Sequence, residues 1–220
     1  MAIQRAIAVE DKEERRREIL DAAERLFLRH PDRVASVSEV AAAAGLAKGT
    51  VYLYFPSKEE MLLALHERHV ENFFEQLMKM VARAAPVGFD DVMPVTLKYL
   101  IRWPGYLELT TRCFSAMDRE MPIDTAIAFK ARVAQRLQAA GVHLDRHFKK
   151  PAGSGVALLL HSYGLICGLW QLQHPNQRFG AAMKRPELKL FDRAYETEIE
   201  TALRALWRGW MSNTEARKSR

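Results

Sequence analysis

Residues 36–65 read SVSEVAAAAGLAKGTVYLYFPSKEEMLLAL, and this stretch decides the fold. Ser36-Val37-Ser38-Glu39 is a capping box, in which the serine hydroxyl accepts from the Glu39 amide while the glutamate reaches back. It opens a short helix whose Val37, Val40, Ala41 and Ala44 face inward. Gly45-Leu46 breaks that helix, the glycine supplying the positive φ that a tight helix–helix turn needs. A third helix runs from about Lys48 to Phe55, and Pro56-Ser57-Lys58-Glu59-Glu60 closes it. Ser57 and Glu60 form a second capping box for a long fourth helix over about 58–83, with Met61, Leu62, Leu65, His69, Phe73, Leu77 and Met80 along one face.

Two short helices joined across a glycine turn make a helix-turn-helix when the second can enter a groove of DNA. In the second one, Val51 and Phe55 are four apart and anchor it to a core. Lys48, Gly49, Thr50, Tyr52 and Tyr54 are left on other faces. Gly49 lets the backbone approach phosphate closely, and the helix N-terminus presents amides to an anion. Thr50 suits a phosphate or a thymine methyl, and the tyrosines bring hydroxyls and flat rings. Lys58 is placed to meet the DNA backbone on the same side. The plain alternative is an alanine-rich helical hairpin with buried tyrosines.

Outward from this segment, helical periodicity continues and alternating strand patterns do not appear. Residues 12–29 carry Ile19, Ala23, Leu26 and Phe27 on one face, and His30-Pro31-Asp32 stops the helix. Beyond an 85–89 loop, helices are expected at about 90–102, 104–118, 123–140, 153–173 and 187–211, with a flexible basic loop at 175–186 and a polar tail at 212–220. The 220 residues are 49% hydrophobic and 27% charged, ordinary for a soluble globular protein. Two distant cysteines, Cys113 and Cys167, form neither a disulfide framework nor a metal finger, which favours a reducing cytoplasm. No secretory signal is read at the N-terminus, and Val156–Leu172 falls short of a membrane span in length and purity. The net charge of +6 suggests an anionic partner, yet residues 1–60 hold ten basic against eleven acidic side chains. Bulk charge therefore does not locate a DNA-binding face.

As a whole, residues 36–65 resemble the DNA-binding signature of the tetracycline-repressor-like (TetR/AcrR) family: a capped first helix, Ala-Gly-Leu, Gly-Thr-Val-Tyr, Tyr-Phe and Ser-Lys-Glu. The resemblance covers about residues 12–65. It implies an all-α protein of about nine helices. Residues 1–60 would be a three-helix DNA-binding domain, and 61–220 a ligand-binding and dimerisation domain. It also implies that Lys48, Gly49, Thr50, Tyr52, Tyr54 and Lys58 contact operator DNA, with Ser36 at the first cap. Two positions depart from the pattern: HisProAspArgValAla replaces the usual glycine turn before the cap, and Ala47 stands where a capping serine is common. A missing cap costs roughly 1 kcal/mol.

Such a reader pairs two copies on a near-palindrome. By resemblance, the last two helices form the homodimer's four-helix bundle. Gly164 and Gly168 permit close approach there, and Tyr195, Ile199, Leu203, Leu206 and Trp210 supply an apolar face together with Ala202 and Trp207. The expected sensor would draw on Phe74, Met78, Trp103, Tyr106, Phe114, Met117, His161, Tyr163, Cys167, Trp170 and Gln171, and would favour a small, largely apolar effector. The same side chains also suit an ordinary core. The pairs His143/His147 and His66/His69 read as solvated rather than metal-binding, and the Lys149-Lys150 and Lys184-Arg185 clusters read as solvated loops. The cysteines read as inert packing. No cofactor, metal site or catalytic constellation is read, and Gly153-Ser154-Gly155 lacks the setting of a nucleophile elbow. The expectation is a ligand-responsive, non-enzymatic regulator, most simply a cytoplasmic repressor that leaves its operator when the effector tilts the fourth helix. The rival readings are an activator of the same fold and a helical protein–protein adaptor.

Overall fold

A computed structural model of the chain describes residues 2–31, 33–83, 87–174 and 177–212. The described residues are helical throughout, without strands, and fall into two compact units. The 84–86 part of the expected loop, Pro175 and Asn176 of the basic loop, and the tail from Asn213 lie outside the described residues.

The first unit comprises Met1–His69 and Pro104–Ala126. It holds α1 (Ala2–Arg29), α2 (Val37–Ala44), α3 (Lys48–Tyr54), the start of α4 (Lys58–Val81) and α6 (Tyr106–Arg119). Ile19, Leu20, Ala22, Ala23 and Phe27 of α1 are buried with Val37, Val40 and Ala41 of α2 and Val51 and Phe55 around α3. Each fully buried aliphatic side chain in such a core contributes about 1.5–3 kcal/mol of transfer free energy. The Ser36 capping box is formed, with both reciprocal hydrogen bonds present. Arg33 adds a two-pronged ion pair to Glu39. That hydrogen-bonded pair and the Ser36 contacts hold the Glu39 carboxyl down to about 2. Gly45 ends α2 with φ 68°, the left-handed geometry its position in the turn anticipates.

The resemblance implies a division after residue 60; this compact unit reaches His69 and takes in α6. Three contacts tie α6 there. Arg112 donates to the Pro31 carbonyl at 3.2 Å, the Cys113 thiol to the Leu62 carbonyl at 3.7 Å, and His66 shares a 3.2 Å hydrogen bond with Thr110. At the start of α6, Gly105 has φ 79° and a methyl there would stand 2.7 Å from the Phe27 ring, so only glycine fits.

The second unit, Val70–Trp103 with Ile127–Arg220, contains the rest of α4, α5 (Phe89–Thr96), most of α7 (Ile123–His147), α8 (Ser154–Gln173) and α9 (Tyr195–Ser212). Pro94 lies inside α5, and the chain continues into a π-helical turn over Leu97–Ile101. α8 packs on α9: Tyr195 donates to the Ile166 carbonyl at 2.8 Å, and Trp210 to Ser154. Two long-range caps close the helix ends. The buried Asp145 carboxylate accepts from the amides of Gly153 (2.8 Å) and Gly155 (2.6 Å) at the start of α8. Lys150 donates to the carbonyls of Trp210 and Met211 at the end of α9, both at 2.7 Å.

Several expectations need correcting. The last helix begins at Tyr195, not near 187, because Gln177–Lys184 and Pro186–Phe191 form 3₁₀ turns. The described part of the segment read as a flexible basic loop is thus largely 3₁₀ turn. Lys150 is a cap rather than a solvated cation, and His66 and His69 are buried rather than solvated. α8, at 20 residues, is long and apolar enough to cross a membrane by length and composition, and it holds no Asp, Glu, Lys or Arg.

Candidate nucleic-acid interface

Three successive helices carry the residues expected at DNA. α2 is capped by exposed Ser36, α3 follows the Gly45 turn, and α4 begins at exposed Lys58. α3 is pinned by Val51, which is fully buried, and by Phe55, whose ring lies under the Arg16 guanidinium at 5.2 Å. With those two inward, Lys48, Gly49 and Tyr52 are exposed, and Thr50 and Tyr54 are half-buried. Tyr52 retains 43% of its surface, with the Lys48 ammonium 5.8 Å from its ring centroid. Tyr54 borders a groove with Asp11, Lys12, Arg15 and Glu18 of α1. Ala47 makes no side-chain cap, as its residue type dictates.

The sequence pattern does not single out Leu53, yet it keeps 80% of its surface exposed. Its position, four residues after Gly49 and between the Val51 and Phe55 anchors, is the signal that could have found it.

A methyl group on Gly49 would meet nothing within 4 Å, and its φ lies outside the left-handed region, so the free fold does not require glycine there. Gly49→Ala should therefore stabilise the free protein by up to about 1 kcal/mol. If close approach to a duplex is what needs glycine, the same change weakens DNA binding. Opposite shifts in melting temperature and in DNA affinity are the expected result.

Residues 19–65 match the family model "Bacterial regulatory proteins, tetR family", and residues 67–214 match "Tetracyclin repressor-like, C-terminal domain". The chain belongs to the TetR family.

Among TetR-family relatives, the fatty acid metabolism regulator protein of Bacillus subtilis is 34% identical over 68 residues, covering 31% of this chain and 35% of its own length. The transcriptional repressor LfrR of Mycolicibacterium smegmatis is 43% identical over 61 residues (28% of this chain, 31% of its own). The transcriptional activator FasR of the same species is 39% identical over 61 residues, covering 28% of each chain. The matches thus span about a third of these relatives' length. A crystal structure of a tetR-family transcriptional regulator from Streptomyces coelicolor superposes with TM-score 0.52 at 24% identity, covering 92% of this chain and 84% of that one. One assigned to the same family from Mesorhizobium loti gives TM-score 0.59 at 17% identity, with 91% and 96% covered. These two likenesses speak to fold.

The residues read as a sensor are distributed through the TetR-family fold. In the first unit, Tyr106 is wholly buried and stacked on His66 (centroids 5.5 Å apart), Met117 is buried and Phe114 half-buried. In the second, Phe74 and Met78 line a groove of about 170 Å³ with Glu71, Glu75, Arg136, Ala139 and Ala140. Arg136 pairs with Glu71 there. Trp103, Tyr163, Cys167 and Trp170 are half-buried, whereas His161 and Gln171 are exposed on α8. Burial pushes the Cys167 thiol up to about 11 against the lowering pull of a hydrogen bond with Tyr163, and pushes Cys113 up further still.

The expected pairing face divides. Tyr195, Ile199 and Leu203 are core residues of this chain, because α9 turns that face onto its own unit. Leu206 and Trp210 are half-buried. The exposed line is on α8: Leu160, His161, Gly164, Gln171 and Leu172, with Gly168 half-buried among them.

Proposed function

We propose that this TetR-family regulator is a homodimeric repressor that binds a palindromic operator in double-stranded DNA through α3 and leaves it when a small, largely apolar ligand binds the C-terminal domain. The observation that carries the reading is the anchoring of α3 by Val51 and Phe55, which leaves Lys48, Gly49, Thr50, Tyr52 and Tyr54 on accessible faces. Ser36 and Lys58 stand at the adjoining helix starts and are assigned to phosphate contacts. Residues 1–60 are assigned to DNA reading and 61–220 to ligand binding and pairing.

Pairing is assigned to the exposed α8 line. His161, Gly164, Gly168 and Gln171 repeat at the 3–4 spacing of a helix–helix seam, and a methyl at Gly164 or Gly168 would meet nothing within 4 Å in this chain. Leu160 and Leu172, 50% and 58% exposed, flank the seam and support the same assignment. Two recognition helices held about 34 Å apart would then enter successive major grooves. The groove bordered by Phe74 and Met78 supports a ligand site on α4, the helix that starts at Lys58 directly after the reading head. A ligand shifts that balance only through its preference for the released arrangement. Repression is favoured over activation because occupying a promoter needs the DNA contacts alone.

The test is a gel-shift assay on duplexes selected by the wild-type protein. Thr50→Ala with Tyr52→Ala should reduce specific binding to the non-specific level, a loss of about a thousandfold or more, while light scattering still reports a dimer. Specific retardation by that variant at physiological salt would remove α3 from the reading role.

A further inference from the structure

The polar residues of α3 do not account for its outermost line. On a helix of 3.6 residues per turn, Gly49 and Leu53 fall one turn apart and opposite the Val51 anchor. Gly49 is exposed with open space around it, and Leu53 keeps 80% of its surface although Tyr52 and Tyr54 flank it in sequence. An apolar isobutyl group at the crest of a reading helix has no hydrogen-bonding capacity for phosphate oxygens or for the donor and acceptor pattern of base edges. The only apolar group that the base edges of B-DNA present in the major groove is the thymine 5-methyl. Gly49, lacking a side chain, lets the crest approach closely, and Leu53 is the next side chain along it.

We propose that Leu53 is a specificity residue that reads a thymine methyl group in each half of the operator. The inference rests on α3 being the DNA-reading helix, as proposed above. Continuity with Thr50 and Tyr52 on the same short helix, together with apolar complementarity, commits the occupant to duplex DNA. The assignment adds a sequence preference that the polar residues alone would not confer: a thymine at one fixed position of each half-site, related by the dyad.

The experiment starts with the full-length protein and a random duplex library, from which binding sequences are selected. In one selected duplex, each thymine is replaced in turn by deoxyuridine, which pairs identically but lacks the methyl. Losing burial of one methyl should weaken wild-type binding about fourfold per half-site, at one position and its dyad mate. Leu53→Ala should bind the thymine duplex more weakly, but bind the thymine and deoxyuridine versions of that position equally. The variant should fold normally, since alanine and leucine are both strong helix formers and the site is exposed. Two results overturn the proposal: indifference of the wild type to every deoxyuridine, or a methyl preference that persists in Leu53→Ala, which would transfer the methyl contact to Thr50 or another residue. If the library yields no enriched sequence and the wild type binds no duplex at all, the DNA-binding reading itself falls and takes this assignment with it.

Discussion

Gly155→Ala should destabilise the second unit by about 3 kcal/mol, the upper end of what overpacking ordinarily costs. A methyl on Gly155 would stand 2.5 Å from the Gly141 carbonyl oxygen, 2.9 Å from the Leu144 Cβ and 3.1 Å from the Gly141 carbonyl carbon. The reciprocal change meets the same wall. A methyl on Gly141 would lie 2.4 Å from a Val156 methyl and 2.7 Å from the Val156 backbone nitrogen. The obstructing atoms are mostly backbone, so relief requires α7 and α8 to separate rather than a side chain to rotate. Separation would also pull the Gly153 and Gly155 amides from Asp145, stripping the cap from α8. Gly164→Ala is the internal control. Its methyl would meet nothing within 4 Å, so monomer stability should hold or rise by up to about 1 kcal/mol. If α8 is the pairing helix, the same control should weaken dimerisation. Urea denaturation and sedimentation of both variants separate the two roles, and equal stability for Gly155→Ala and wild type would disprove the tight crossing.

The contrast between these glycines illustrates what the sequence discloses. Gly45 could be placed from its neighbours, because a capping box nine residues earlier and an anchored helix after it leave a tight turn as its use. The whole of α2 and α3 is legible for that reason: Ser36, Glu39, Gly45, Val51 and Phe55 act through local geometry. Gly164 and Gly168, paired in the sequence by their spacing, have open space, while Gly141 and Gly155, which no spacing links, form the close crossing. Only tertiary packing joins them. The same limit hides Lys150, whose acceptors lie about 60 residues away, and the inward turn of Tyr195, Ile199 and Leu203 on α9. It hides α6 as part of the first unit as well, since Thr110 meets His66 across 44 residues. Leu53 escapes notice for another reason. A search for hydrogen-bonding side chains on α3 passes over an apolar one, and its exposure becomes informative only once Val51 and Phe55 are seen to hold the helix.

The first unit should lose stability on mild acidification, and His66 should be the main cause. Its ring is buried on α4, stacked on Tyr106 and hydrogen-bonded to Thr110, both on α6. Burial, reinforced by the neighbouring His69 and opposed by Glu67, pushes its pKa down to about 4 from an ordinary 6.5. His69 in turn lies 3.0 Å from Glu24 of α1, and Arg68 pairs with both Glu24 and Asp21 of α1. Although burial opposes it, the His69 hydrogen bond and the Arg68 charge hold the Glu24 carboxyl below its usual range. The sign for His66 follows from proton counting. Between pH 6.5 and 4 the unfolded chain carries a proton on this ring that the folded chain excludes, so acid favours unfolding. The His66 contribution is complete above pH 6.5 and falls by about 1.4 kcal/mol for each pH unit below it, approaching a total of about 3 kcal/mol near pH 4. His66→Phe preserves the stacking on Tyr106 but has no ionisable nitrogen. It should be less stable than wild type at pH 7.5, where the Thr110 hydrogen bond is lost, and should show a flatter decline down to pH 4.5. His66→Gln, which keeps a polar partner for Thr110, should flatten the profile in the same way. Denaturant midpoints of the three proteins across that range decide the matter, because the Glu24 contribution is common to all of them. A wild-type slope retained in both variants would assign the acid sensitivity to Glu24 instead.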